Sequence, residues 1–177
     1  EIYGLELLDF YTRARAATAQ HANNIKPLHW NTFEPILDAD KARKHEEARD
    51  QAEKLLVEVQ DGPFHDRLLY HYGKACRLTK LPALAKPQLR LLIDRYAGRS
   101  DFYDEALYQL ASIHLESGEW KDAAPLFERL LRDIPDTHIQ DRAVIGLARI
   151  ALELKDKIRA TEWLDLFDRS FPKSPVK

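Results

Sequence analysis

Three consecutive stretches of this chain carry one pattern of apolar and small residues, at a spacing too long for a single helix or strand. Asp66–Ala97, Asp104–Pro135 and Asp141–Pro172 superpose at offsets of 38 and then 37 residues. A small residue (Gly73, Ala111, Ala148) is followed twelve positions on by Ala85, Ala123 and Ala160. Four further on stand Leu89, Phe127 and Leu164, and three beyond those Leu92, Leu130 and Phe167. A fixed period of this size builds a solenoid, because one unit cannot bury its apolar face until a neighbour stacks on it. Within a unit the apolar residues recur at i, i+3 and i+4, the stripe of an amphipathic helix, and the small residues let two helix backbones approach. The chain is therefore expected to be all-α, a stack of antiparallel helix pairs with about eight helices.

These columns resemble the tetratricopeptide repeat. The middle unit reads Leu107, Leu110, Ala111, His114, Gly118, Ala123, Phe127, Leu130, Pro135, and the third reads Val144, Leu147, Ala148, Ala151, Ala160, Leu164, Phe167, Pro172. The first reads Leu69, Tyr72, Gly73, Cys76, Ala85, Leu89, Leu92, with Ala97 in place of the closing proline. The aromatic of the first helix is replaced by Cys76, His114 and Ala151, and the units exceed the usual length of about 34 residues. The extra residues are expected in the turns around Gly98–Asp101 and Asp136–Thr137. The resemblance spans about two thirds of the chain and implies a right-handed α-solenoid. It implies three repeats over 63–177 (63–100, 101–137 and 138–175), preceded by an irregular helical region over 1–62.

Local signals agree with that register. Asp61-Gly62-Pro63, Ser100-Asp101 and Thr137 precede the three first helices, and Thr137 with Gln140 has the form of a capping box. Gly118 suits the turn inside the middle unit, with Glu119 at the following helix N-terminus. Pro87 and Pro125 share a column near the start of the second helix, where a proline bends or delays the helix.

Outside the repeats the pattern is looser. Residues 3–22 read as a helix with Leu7, Phe10, Tyr11, Ala14 and Ala17 along one side. Asn23–Asp38, with Pro27, Pro35, Asn24 and Asn31, reads as a loop with one helical turn, folded back through His29, Trp30, Phe33 and Ile36. Residues 40–60 read as a charged helix whose Ala48, Ala52, Leu55 and Leu56 resemble a second helix, so a degenerate fourth unit is expected here. Phe171-Pro172-Lys173-Ser174-Pro175 reads as a junction into another repeat. The apolar edge at Trp163, Leu166 and Phe167 is then expected to meet a partner, a neighbouring copy or further chain. The sequence begins at Glu1 and holds no methionine, so the start codon is expected outside it, with a removed leader or a trimmed chain equally compatible.

Composition excludes several classes. A net charge of −2 over 177 residues gives no global field for nucleic acid or an anionic membrane. No apolar run approaches the length of a membrane span. One cysteine permits no internal disulfide and leaves the redox compartment open. Cys76 and His71 lie five apart on one helix and turn to different sides, so Cys76 is expected to be a buried structural thiol. His65, Asp66 and His71 lack the i, i+4 spacing of a helical metal pair, and His114 occupies a core column. Glu46, Glu47, Asp50 and Glu53 interleave with Lys41, Arg43, Lys44, Arg49 and Lys54, as on a solvated helix face. No phosphate-binding glycine loop and no nucleophile elbow occurs. No catalytic residue, metal or cofactor is therefore expected.

The resemblance implies a concave face lined by the first helices. Carried over by position, that face holds Arg67, Tyr70, Lys74 and Arg77, then Glu105, Tyr108, Ser112 and Leu115, then Arg142, Ile145, Arg149 and Leu152. Five of these twelve are Arg or Lys and one is Glu, which suits an extended peptide or partner helix with acidic and apolar side chains. Family members that clamp the carboxylate tail of cytosolic chaperones use asparagines on those helices. Asparagine stands here only at 23, 24 and 31, so that clamp is expected to be absent. The long repeat with its Pro-x-Ser junction resembles the repeat lipoproteins and scaffolds of bacterial envelopes. This implies an adaptor in an envelope or secretion assembly, periplasmic or envelope-associated rather than cytoplasmic. The alternatives are a scaffold that self-assembles through its ends and, with less support from the charge, an RNA-binding repeat.

Overall fold

The structure, a computed structural model, describes residues 30–59, 62–135 and 137–176. Among them are eight helices and no strand: α1 (Trp30–Lys41), α2 (His45–Glu58), α3 (His65–Leu78), α4 (Pro82–Arg95), α5 (Tyr103–Glu116), α6 (Trp120–Asp133), α7 (Gln140–Glu153) and α8 (Lys157–Ser170). Helices α3, α5 and α7 begin 38 and then 37 residues apart, as do α4, α6 and α8. Helix α2 begins 37 residues before α4. The molecule is an all-α solenoid of antiparallel pairs.

One turn makes all four hairpins. Arg43, Lys80, Gly118 and Lys155 each take a positive φ of 57–73° just past the first helix of a pair. The next amide then reaches back five residues, from Lys44 to Ala39 O (2.9 Å), Leu81 to Cys76 O (2.8 Å), Glu119 to His114 O (2.9 Å) and Asp156 to Ala151 O (2.8 Å). With the inner bonds from Arg43, Lys80, Gly118 and Lys155 to the carbonyls three residues back, each is a Schellman motif. Only Gly118 meets its demand for left-handed backbone with a glycine.

The first helices of the pairs touch one another in sequence, α1 to α3, α3 to α5 and α5 to α7, while among the described residues the second helices make no such contact. An inner layer in contact and an outer layer spread apart curve the stack toward the first helices. Ala85, Ala123 and Ala160 are buried where each second helix crosses its partner. Gly73 permits a close approach: a Cβ there would stand 2.6 Å from Leu89 Cγ. Ala111 and Ala148, in the same column, are buried as well.

The ends of each unit are tied together. His65 Nδ1 lies 2.8 Å from the Tyr96 hydroxyl in the first unit. In the next two, Thr137 Oγ1 donates to Asp104 Oδ2 and Ser174 Oγ to Asp141 Oδ2, each at 2.5 Å. The same hydroxyls, with Ser100, accept from the amide two residues on, at Phe102 (3.1 Å), Ile139 (3.5 Å) and Val176 (3.1 Å).

Several sequence expectations need correction. Residues 30–38, expected in a loop, belong to α1, while the expected helix over 3–22 and residues 23–29 lie outside the described residues. Phe33 and Ile36, three apart, are fully buried and anchor α1 to the stack, while Pro35 faces solvent, where its missing amide is least costly. The charged helix is shorter than 40–60, because Arg43 and Lys44 form the turn. The capping box does not form: the residue before α7 is Ile139, with no side-chain cap, because Thr137 is engaged by Asp104. Pro87 and Pro125 delay nothing, as α4 and α6 begin five residues before them. Phe167, expected at an open edge, is buried and packs on Phe171 with ring centroids 5.9 Å apart. Leu164, at 42%, and Ile158, at 74%, are exposed apolar residues of α8.

Candidate binding groove

The inner face divides into two parts. Toward α1 the side chains are consumed by packing. Tyr70 is buried and stacks on Phe102 at 4.8 Å, with its phenol pKa pushed up by burial. Arg67 lies over the rings of Phe102 (5.0 Å), Phe64 (5.9 Å) and Phe33 (6.0 Å). Lys74 Nζ is 2.8 Å from Asp40 Oδ2, and His71 Nδ1 is 3.3 Å from the same oxygen. The imidazole and the ammonium hold the Asp40 carboxyl down to about 2 against the opposing effect of burial. Burial pushes the His71 pKa down. Arg67, Tyr70 and Lys74 thus bind α1, α3 and α5 to one another.

Toward α7 a concavity of ≈ 380 Å³ opens between α3, α5 and α7. Seven of the twelve residues carried over to the concave face line it: Arg77, Tyr108, Ser112, Leu115, Arg142, Ile145 and Arg149. Ser112 and Leu115 are buried in its floor, and Arg142 and Arg149 stand exposed on its wall. Arg77 is engaged, donating from Nη1 to Gln109 Oε1 at 3.0 Å and from Nη2 to Glu116 Oε1 at 2.7 Å. Among the described residues neither the Arg142 nor the Arg149 guanidinium has an ion pair or hydrogen bond. Three neighbouring carboxylates have other contacts: Glu116 with Arg77, Asp141 with Ser174, and Glu105 with His138 at 3.4 Å. Burial also pushes the Glu105 pKa up.

Glu116, Phe127, Gly146 and Val176 line the same concavity and were not reached from sequence. The signal for Gly146 lay in the neighbouring helix. A Cβ there would stand 2.6 Å from the Phe127 ring, so the glycine exists to admit that ring. Val176 belongs to a column Phe64, Phe102, Ile139, Val176, the apolar residue after each junction, which a search for polar caps passes over.

The titratable residues considered for chemistry are held in other pairings. Cys76 is fully buried, its thiol pKa pushed up by burial, and its polar neighbour is Tyr72 rather than His71. His65 turns to Tyr96 and His71 to Asp40. His114, Glu119 and Asp122 place ligand atoms within 4.8 Å of one another. However, Glu119 Oε2 already accepts from Lys86 Nζ at 2.5 Å and contacts His114 Nδ1, so the protein's own ammonium fills the place a cation would take. That cluster ties α4 to the turn between α5 and α6.

The tetratricopeptide repeat family model matches residues 82–138 and 108–175, together more than half of the chain. The chain belongs to the tetratricopeptide repeat family. Such repeats mediate protein–protein interaction and are typically non-enzymatic. No curated protein matches the chain. No described helix is long and apolar enough to cross a membrane.

Proposed function

We propose that the chain is a non-enzymatic interaction module that holds a protein segment with acidic and apolar side chains in the concavity between α3, α5 and α7. One observation carries the reading: two guanidinium groups without an ion pair or hydrogen bond among the described residues, Arg142 and Arg149, flank Ile145 on the wall of that concavity, while Glu116 and Asp141 are engaged elsewhere. Arginine beside apolar surface is the composition of an interface centre. The binding region is narrower than position alone suggests, because Arg67, Tyr70 and Lys74 serve packing. Charge reversal on α7 tests it. Arg142→Glu with Arg149→Glu weakens capture of a peptide rich in Glu and Leu, and Arg90→Glu, on the outer helix α4, leaves capture unchanged.

The domain division is part of the same proposal: a helical region over 1–62, in which α1 and α2 form a degenerate unit, and repeats over 63–100, 101–137 and 138–175. The shared Schellman turn and the 37-residue offset of α2 from α4 support it. The long unit with its Pro-x-Ser or Pro-x-Thr junction supports an adaptor role in a bacterial envelope or secretion assembly. A second reading is self-assembly through α8. It rests on Leu164, exposed in the column where Leu89 and Phe127 are buried. Sedimentation at rising concentration would then show dimers that Leu164→Glu abolishes; a monomer throughout removes this reading.

A further inference from the structure

The same concavity also defines the conformation of its ligand, an inference that rests on the groove reading above. Arg142, Ile145, Arg149 and Leu152 stand at i, i+3, i+7 and i+10 of α7. At 3.6 residues per turn these positions share one stripe, and at 1.5 Å per residue they lie about 4.5, 10.5 and 15 Å along the axis from the first. The stripe alternates cation, apolar, cation, apolar. Both cations are unpaired among the described residues, and Leu152, which continues the stripe beyond the lining of the concavity, is 55% exposed where Leu115, in the same column of α5, is buried.

An extended strand matches the charge spacing with acids three residues apart, about 10 Å, yet those two side chains point to opposite faces. A polyproline helix returns to one face every third residue, about 9.3 Å, and offers nothing on that face near 4.5 or 15 Å. A second α-helix reproduces all four spacings. The spacings 0, 3, 7, 10 are the same from either end, so a parallel helix answers them with acid, apolar, acid, apolar and an antiparallel one with apolar, acid, apolar, acid. We infer that the concavity takes an amphipathic helix from a protein partner. Two carboxylates seven residues apart on it pair with Arg142 and Arg149, and its apolar residues rest on Ile145 and Leu152.

Three labelled peptides, matched for helicity by circular dichroism, test this against the full chain by fluorescence anisotropy. The first, made in two versions for the two directions, carries Glu, Leu, Glu, Leu or Leu, Glu, Leu, Glu at i, i+3, i+7 and i+10. The second holds the same residues permuted around the helix, and the third replaces both Glu of the first by Lys. The striped peptide is expected to bind about tenfold more tightly than the permuted one. The Arg142→Glu, Arg149→Glu protein is expected to release the striped peptide and to gain the Lys version. Equal binding of striped and permuted peptides, still abolished by the charge reversal, overturns the helical ligand and leaves the groove standing. Absence of binding by every peptide, or binding indifferent to the charge reversal, overturns both.

Discussion

Lys155 shows how a single position can be structurally demanding and chemically disguised. Its φ of 61° is the conformation that glycine supplies without cost, and an L-residue there gives up about 1–2 kcal/mol. Arg43 and Lys80 accept the same cost in the same turn. Lys155→Gly relieves that strain and loses part of the gain to the wider unfolded ensemble of glycine. A net stabilisation of about 0.5–1 kcal/mol is expected in urea unfolding. Equal or lower stability would show that the turn is relaxed with lysine. This is why only one of four hairpins was legible in the sequence. Gly118 announced its turn, whereas Arg43, Lys80 and Lys155 look like solvated surface and reveal their backbone only through the carbonyls five residues behind them. Gly146 was hidden for the opposite reason: its cause, the Phe127 ring, lies in another helix.

At the level of elements, the packing of α1 on α3 accounts for the largest departure from the sequence reading. Two prolines and three asparagines in 23–35 suggest a loop, yet Phe33 and Ile36 bury completely and tertiary packing prevails over local propensity. The polar part of the same contact is pH-sensitive. Because burial lowers the His71 pKa in the folded protein, the unfolded chain takes up the proton first. Stability therefore falls as pH drops below the ordinary imidazole value of 6.5. Asp40 acts in a lower window: its stabilisation is complete above the ordinary 3.8 and is lost as pH falls toward about 2. Urea unfolding of the wild type and His71→Gln at pH 7 and pH 5 separates the histidine from everything else. The wild type is expected to lose more stability between the two than the variant; parallel losses would mean that His71 titrates as it does in water.

For the whole molecule, the repeat was legible because it is written three times in the residues that stacking requires, Gly73, Ala111 and Ala148 against Ala85, Ala123 and Ala160. The register, the second helices and the class of fold follow from those columns. The division of labour along the inner face was not legible. Position placed Tyr70 and Tyr108 in one column, but Phe102 covers Tyr70, so replacing Tyr70 tests folding rather than binding. What separates the two halves of the face is which cations already have partners, and that depends on residues brought from other helices, such as Asp40 to Lys74 and Glu116 to Arg77. The unpartnered pair on α7 is the feature on which the proposed groove rests. Its most direct measurement is the affinity of a Glu- and Leu-rich peptide for the wild type, for the Arg142→Glu, Arg149→Glu protein and for Arg90→Glu, with thermal unfolding as the check on folding. A loss of about tenfold confined to the α7 variant, with unchanged melting, is expected for two exposed charge contacts. Equal affinity in all three proteins would contradict the groove.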